Sequence, residues 1–150
     1  IYSINATPND PRYLDGSLWG LHNTGQNSGT ADADIDAPEG WDVRRDAPTT
    51  VVAVIDTGIN PDHEDLKDNL WVNPAEIPGN GIDDDGNGYV DDVHGINSIS
   101  GSGDPRDDHG HGSHCAGTIG ARGDNNLGIS GVAWNVKLMG IKFLSSSGSG

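Results

Sequence analysis

At 150 residues the chain is long enough for one domain with a sizeable core, yet only 33% of it is apolar and Gly fills 23 positions, so much of it must be loop. Its 23 acidic and 8 basic residues give a formal net charge of −15, which excludes the basic footprint of a nucleic-acid binder. No apolar run has the length or flanks of a membrane span or a secretory leader.

Residues 1–34 are polar and rich in Gly, Asn and Asp, and read as an arm with turns. The chain opens on Ile1 rather than Met, which fits a processed N-terminus or a truncated start, and Asn5-Ala6-Thr7 is an N-glycosylation sequon. Residues 37–45 form an expected short helix, with Asp36 as N-cap and Trp41 on the buried side. The run VVAVI at 51–55 is continuous and mostly β-branched, the pattern of a strand buried on both faces of a parallel sheet. It ends in Asp56-Thr57-Gly58.

Residues 73–92 are a long Pro/Gly/Asn/Asp loop, followed by a short strand within 93–99. Residues 112–121 are small enough for a tightly packed helix, and VKLMGIKFL at 136–144 reads as a second buried strand. Residues 145–150 look flexible. Strand, helix and strand in alternation indicate an α/β architecture.

Two stretches carry candidate chemistry. Asp56 stands where a buried strand stops, and functional groups of open α/β sheets gather at the carboxyl ends of strands. A carboxylate there can orient an imidazole and stabilise its protonated form. The stretch DDHGHGSHCAGTIG, 107–120, supplies His109, His111 and His114 with Cys115. Taken singly, an Asp after a strand can be a turn cap and a loop His a solvated residue.

Together, VVAVIDTGI and HGHGSHCAGTIGA resemble the subtilisin-like serine proteases, whose triad runs Asp, His, Ser along the chain. PNDPRY at 8–13, Trp19-Gly20-Leu21 and SGVAWNVKLMGIKFL extend the likeness over nearly the whole chain. The resemblance implies the N-terminal part of a subtilisin-like fold, a parallel β-sheet flanked by helices. It makes Asp56 the triad carboxylate and His111 the general base. His114 becomes structural, and His109 belongs to the cleft rim. Gly148, Ser149 and Gly150 match the start of the edge that pairs with substrate backbone. The family's nucleophilic serine motif and its oxyanion Asn are absent from these residues. Residues 1–150 alone are therefore not expected to be active, and a second polypeptide or a pro-segment or inhibitor is an expected partner, besides a protein or peptide substrate.

Cys115 sits four residues after His111, on the same helix face, and reads as a small buried hydrophobe. A Cys nucleophile, or a zinc hydrolase built on His109, His111 and His114, remains an alternative. Only one Cys is present, so no internal disulfide forms and the redox compartment stays open.

The stretch GIDDDGNGYVDD, 81–92, points to calcium, which takes six to eight oxygens on a sharply turning loop. Asp83, Asp85, Asn87, Gly88 and the Tyr89 carbonyl match the first half of an EF-hand loop. The closing Glu is replaced by His94, leaving Asp91 or Asp92 to close the site. The resemblance implies a second calcium site, made by Asp10, Asp65 and the Asn125 side chain with the carbonyls of Arg122, Leu127 and Ile129. A calcium-stabilised, secreted endopeptidase is the expectation. A non-enzymatic calcium-binding module is the other reading, with the carboxylates of 81–92 as a solvated acidic loop in the absence of metal.

Overall fold

The computed structural model describes residues 6–150; the glycosylation sequon at Asn5 lies outside the described residues. The elements run α1 (Pro11–Leu14), a 3-10 turn (Gln26–Ser28), α2 (Ala37–Val43), β1 (Asp46–Asp56), a 3-10 turn (Lys67–Asn69), β2 (Gly95–Asn97), α3 (His111–Gly120) and β3 (Asn135–Lys142). The three strands form one parallel sheet in the order β1-β3-β2. The α/β architecture read from the sequence is the one observed.

Val52, Val54 and Asp56 point to one face of β1 because side chains alternate along a strand. Val54 joins Val136, Leu138, Leu66, Leu70, Ile59, Ala116 and Ala121 in the main core, beneath α3. β3 alternates buried and half-buried along its whole length, and its last buried position is Lys142. A second cluster of Leu21, Ala37, Trp41 and Trp134 anchors α2 and the arm, with Trp41 Nε1 donating to the Val132 carbonyl at 2.8 Å.

Small residues let α3 lie close on the sheet. Gly112, Ala116 and Gly120 are buried at four-residue spacing, and a Cβ at Gly120 would collide with Val136.

Two expectations are corrected. β1 is not buried on both faces: Val51 is 45% and Ile55 66% exposed, because no element among the described residues covers the face turned away from α3. Asp36 occupies the N-cap position of α2, but in a left-handed conformation (φ 53°) and without a side-chain cap bond. Among the described residues no helix is long and apolar enough to cross a membrane.

Candidate functional site

Asp56 ends β1 on the face that α3 covers, and His111 is the first residue of α3. The two ends meet. His111 Nδ1 lies 2.7 Å from Asp56 Oδ1 and 2.9 Å from Oδ2, although 55 positions separate them in sequence. An ionised carboxylate only accepts, so Nδ1 carries the proton and Nε2 is left as the basic nitrogen. The ring is 60% exposed at its side chain, against 13% for the carboxylate. The imidazole is held from below and open above.

Burial raises the Asp56 pKa, but the Thr57 N–H and the His111 ring outweigh it and hold the carboxyl below its usual range. It therefore remains an anion able to stabilise an imidazolium.

Cys115 Sγ lies 3.8 Å from His111 Nδ1, below the ring as the helical spacing requires. Burial and the Asp56 charge push its thiol pKa up, which disfavours a thiolate nucleophile. Asp56, His111 and Cys115 form one of two groups of potential metal ligands among the described residues, and the other is Glu76, Asp83 and Asp85. His109, His111 and His114 are not gathered into a common ligand set, since Nδ1 of His111 is engaged by Asp56 and the His109 ring stands 6.4 Å away, edge-on.

Gly148 lies beside His109, with 3.8 Å from its Cβ direction to Nε2, so these two rim candidates are brought together. The expected edge strand at Gly148, Ser149 and Gly150 is not formed. Ser145 N–H donates to the Ser149 carbonyl and Gly148 N–H to the Ser145 carbonyl, folding the segment into a turn.

The acidic loop closes around Asp83. Asp83 accepts the N–H groups of Gly86, Asn87 and Gly88 at 2.8–3.1 Å, and the Gly88 N–H does most to hold its carboxyl below the ordinary range. Asp85 and Asp92 are joined through the amide groups of Asn73 and Asn87 at 3.0–3.1 Å. Asp91 is turned away and caps the neighbouring turn, accepting the N–H groups of Gly79, Asn80 and Gly81. Of the two proposed closing residues, Asp92 is the one that faces the cluster.

Glu76 was missing from the sequence reading. It is only 7% exposed, its Oε1 accepts the N–H groups of Asp84 and Asp85, and its Oε2 is buried without a partner. Its carboxylate comes within 4.8 Å of those of Asp83 and Asp85. An orphaned buried oxygen facing two further carboxylates fits a hard divalent cation.

Asp10, Asp65 and Asn125 at the arm also come together. Asp10 is 0% and Asp65 3% exposed, and neither has a Lys, Arg or His ion-pair partner among the described residues. Asp10 accepts from the N–H groups of Asp124 and Asn125, while Asp65 accepts from Asn125 Nδ2 and the Ile129 N–H. Burial chiefly, with the Asp65 charge behind it, raises the Asp10 pKa. Two buried acids without a counter-charge fit a cation there. Arg122 and Leu127 also turn N–H groups inward, to the Asp65 carbonyl and to Asn125 Oδ1.

The chain is similar to known proteases. A sequence profile of the Subtilase family matches residues 48–150. "Subtilisin-like protease 1" of Plasmodium berghei is 50% identical over 97 residues, which cover 64% of this chain and 16% of that protein. The "Cell wall-associated protease" of Bacillus subtilis is 31% identical over 134 residues, covering 88% of this chain and 13% of that protein. The chain thus spans less than a fifth of the length of these relatives. Among solved structures, a Pseudoalteromonas arctica protease superposes with a TM-score of 0.62 at 26% identity, over 96% of this chain and 41% of that one. The Aeromonas sobria serine protease, solved with its chaperone, gives 0.66 at 26% identity, over 97% and 21%. A profile match over more than half of its residues means that the chain belongs to the subtilase family.

Proposed function

We propose that residues 1–150 supply the Asp and His of the triad of a secreted, calcium-stabilised serine endopeptidase, as the N-terminal portion of its catalytic domain. The observation that carries this reading is the 2.7 Å contact from His111 Nδ1 to Asp56, which leaves Nε2 free on the open side of the ring. On this reading the nucleophile and the oxyanion donor come from polypeptide outside residues 1–150, which carry neither of the family's motifs for them.

In the working site, Nε2 of His111 takes the proton of the serine hydroxyl as its oxygen attacks the peptide carbonyl. The same nitrogen then hands that proton to the leaving amine. Asp56 holds the tautomer and stabilises the cation between the two steps. Calcium would sit on Glu76, Asp83, Asp85 and Asp92 in the acidic loop, and on Asp10, Asp65 and Asn125 at the arm, where it would neutralise buried charge. Outside the cell calcium is abundant enough for such loops to fill. The chaperone in the Aeromonas sobria structure belongs to that protein; an analogous pro-segment or inhibitor is a natural partner here.

The test uses the full-length polypeptide that carries these residues. A fluorophosphonate probe should label one serine outside residues 1–150, and His111→Ala should abolish labelling and peptide hydrolysis together. Hydrolysis by residues 1–150 alone, or labelling unaffected by His111→Ala, would overturn the reading. A calcium-binding module without activity would instead bind the metal and never take the probe.

A further inference from the structure

We propose that Asp107, acting through Thr57 and Ser113, is the positioning residue that fixes the register of Asp56 against His111. This rests on reading those two residues as the catalytic pair.

The N-cap position before α3 is Gly110, which has no side chain to cap the helix. A helix start leaves N–H groups without partners, and here they are satisfied by residues from elsewhere. Thr57 Oγ1 accepts the Gly112 N–H at 2.9 Å, and Asp107 Oδ2 accepts the Ser113 N–H at 2.9 Å. The Ser113 hydroxyl donates to the same Oδ2 at 2.6 Å. Asp107 Oδ1 takes the N–H groups of His109 and Gly110 at 3.0 and 2.8 Å and the Thr57 hydroxyl at 2.8 Å.

One carboxylate thus takes five donors, from both sides of the His111 position and from the residue that follows Asp56. Thr57 is its counterpart on β1. It is 1% exposed, its hydroxyl bridges Asp107 to the helix, and its N–H donates to Asp56 Oδ1 at 2.7 Å. Its carbonyl is fixed from the other side by the buried ammonium of Lys142, at 2.6 Å, which also pairs with Asp108. The approach is tight: a Cβ at Gly112 would collide with the Gly58 carbonyl.

The Thr57 hydroxyl can donate only one hydrogen bond, and Asp107 takes it. That leaves its lone pairs turned to the Gly112 N–H. Without the Asp107 acceptor, the hydroxyl can rotate and release the helix. Besides the His111–Asp56 contact itself, this network ties the first turn of α3 to the residue that follows β1. A displacement of about 1 Å between base and carboxylate is enough to cost about a hundredfold in rate.

The experiment compares Asp107→Ala, Asp107→Asn, Thr57→Val and Thr57→Ser in the full-length polypeptide. One readout is the far-downfield NMR resonance of the His111 Nδ1 proton and its titration, which needs no proteolysis. The other is kcat and KM on a peptide substrate. We expect Asp107→Ala and Thr57→Val to lower kcat about a hundredfold with KM held within about twofold, and to move the Nδ1 resonance. Thr57→Ser, which restores the hydroxyl, should restore both. Should Asp107→Ala fail to fold, the Thr57→Val and Thr57→Ser pair decides. An unchanged resonance and kcat in a folded Thr57→Val protein overturns the proposal and leaves Asp107 as a helix cap only. If the wild type neither cleaves nor takes the probe, the protease reading falls, while the resonance still tests the clamp.

Discussion

Asp107 and Asp83 do the same local work and stand in opposite situations. Each folds a turn by accepting backbone N–H groups from the residues that follow it. Around Asp107 the remaining donors are side chains of the neighbouring elements, and the network is closed by neutral hydroxyls and amides. Around Asp83 the next neighbours are more carboxylates, of Asp85 and Glu76, and one buried oxygen has no donor. The contact between Asp56 and His111 is satisfied within the described residues, whereas the acidic loop keeps a buried carboxylate oxygen of Glu76 without a donor.

Substitutions can break that contrast. The largest effect belongs to Asp56→Asn, which keeps the shape but offers His111 the wrong tautomer. The kcat of the full-length enzyme should fall about 10⁴-fold, with the thermal midpoint nearly unchanged. Chelating calcium should do the reverse, costing about 3–4 kcal/mol of stability at metal concentrations of 100 to 1,000 times Kd. Calorimetry checks the midpoint, and probe labelling below the transition should persist.

Asp107 sharpens the comparison through pH. Burial alone would raise its pKa, but Ser113, Gly110 and His109 outweigh it and hold the carboxyl far below the ordinary range. Its contribution to stability is thus present above about pH 4 and drains away as the pH falls through the folded value. Asp107→Asn should flatten that acid slope, which circular dichroism between about pH 4 and 2 can follow.

Glu76→Gln should change sign with the metal. Without calcium it relieves a buried charge and should stabilise by about 1 kcal/mol. With calcium it should weaken binding about tenfold, as titration calorimetry would show. The smallest effect is Asp62→Asn: its ion pair with Arg106 is 2.7 Å long but exposed, so chemical denaturation should move by less than about 0.5 kcal/mol.

The legible parts of the molecule were those set by local pattern. The β-branched run 51–55 lies within β1, which starts earlier at Asp46, and the small-residue helix read at 112–121 is α3 shifted by one residue, because a continuous apolar run and a run of small residues mark the elements but not their ends. Glu76 was not legible. It lies in the irregular stretch NPAEIP, and only the tertiary path of the loop turns it onto Asp83. Asp91 and Asp92 are adjacent and alike in sequence, and a left-handed turn at Asp91 (φ 53°) sends them to different neighbours. The exposure of Val51 and Ile55 was equally hidden, since a strand cannot announce which of its faces finds a cover.

The crossover that brings β3 between β1 and β2 also has a kinetic side. Lys142 bonds Thr57 from 85 positions away, and His111 reaches Asp56 from 55. Closing a chain of that length costs about 4 kcal/mol before any contact rewards it. Helix α3 has ten residues, three of them Gly, and draws its stability from packing on the sheet, so His111 and Asp56 meet only when the last strand has zipped alongside the first. During synthesis the pair would stay apart until nearly all of these residues had left the ribosome, so a nascent chain would carry both side chains without their alignment.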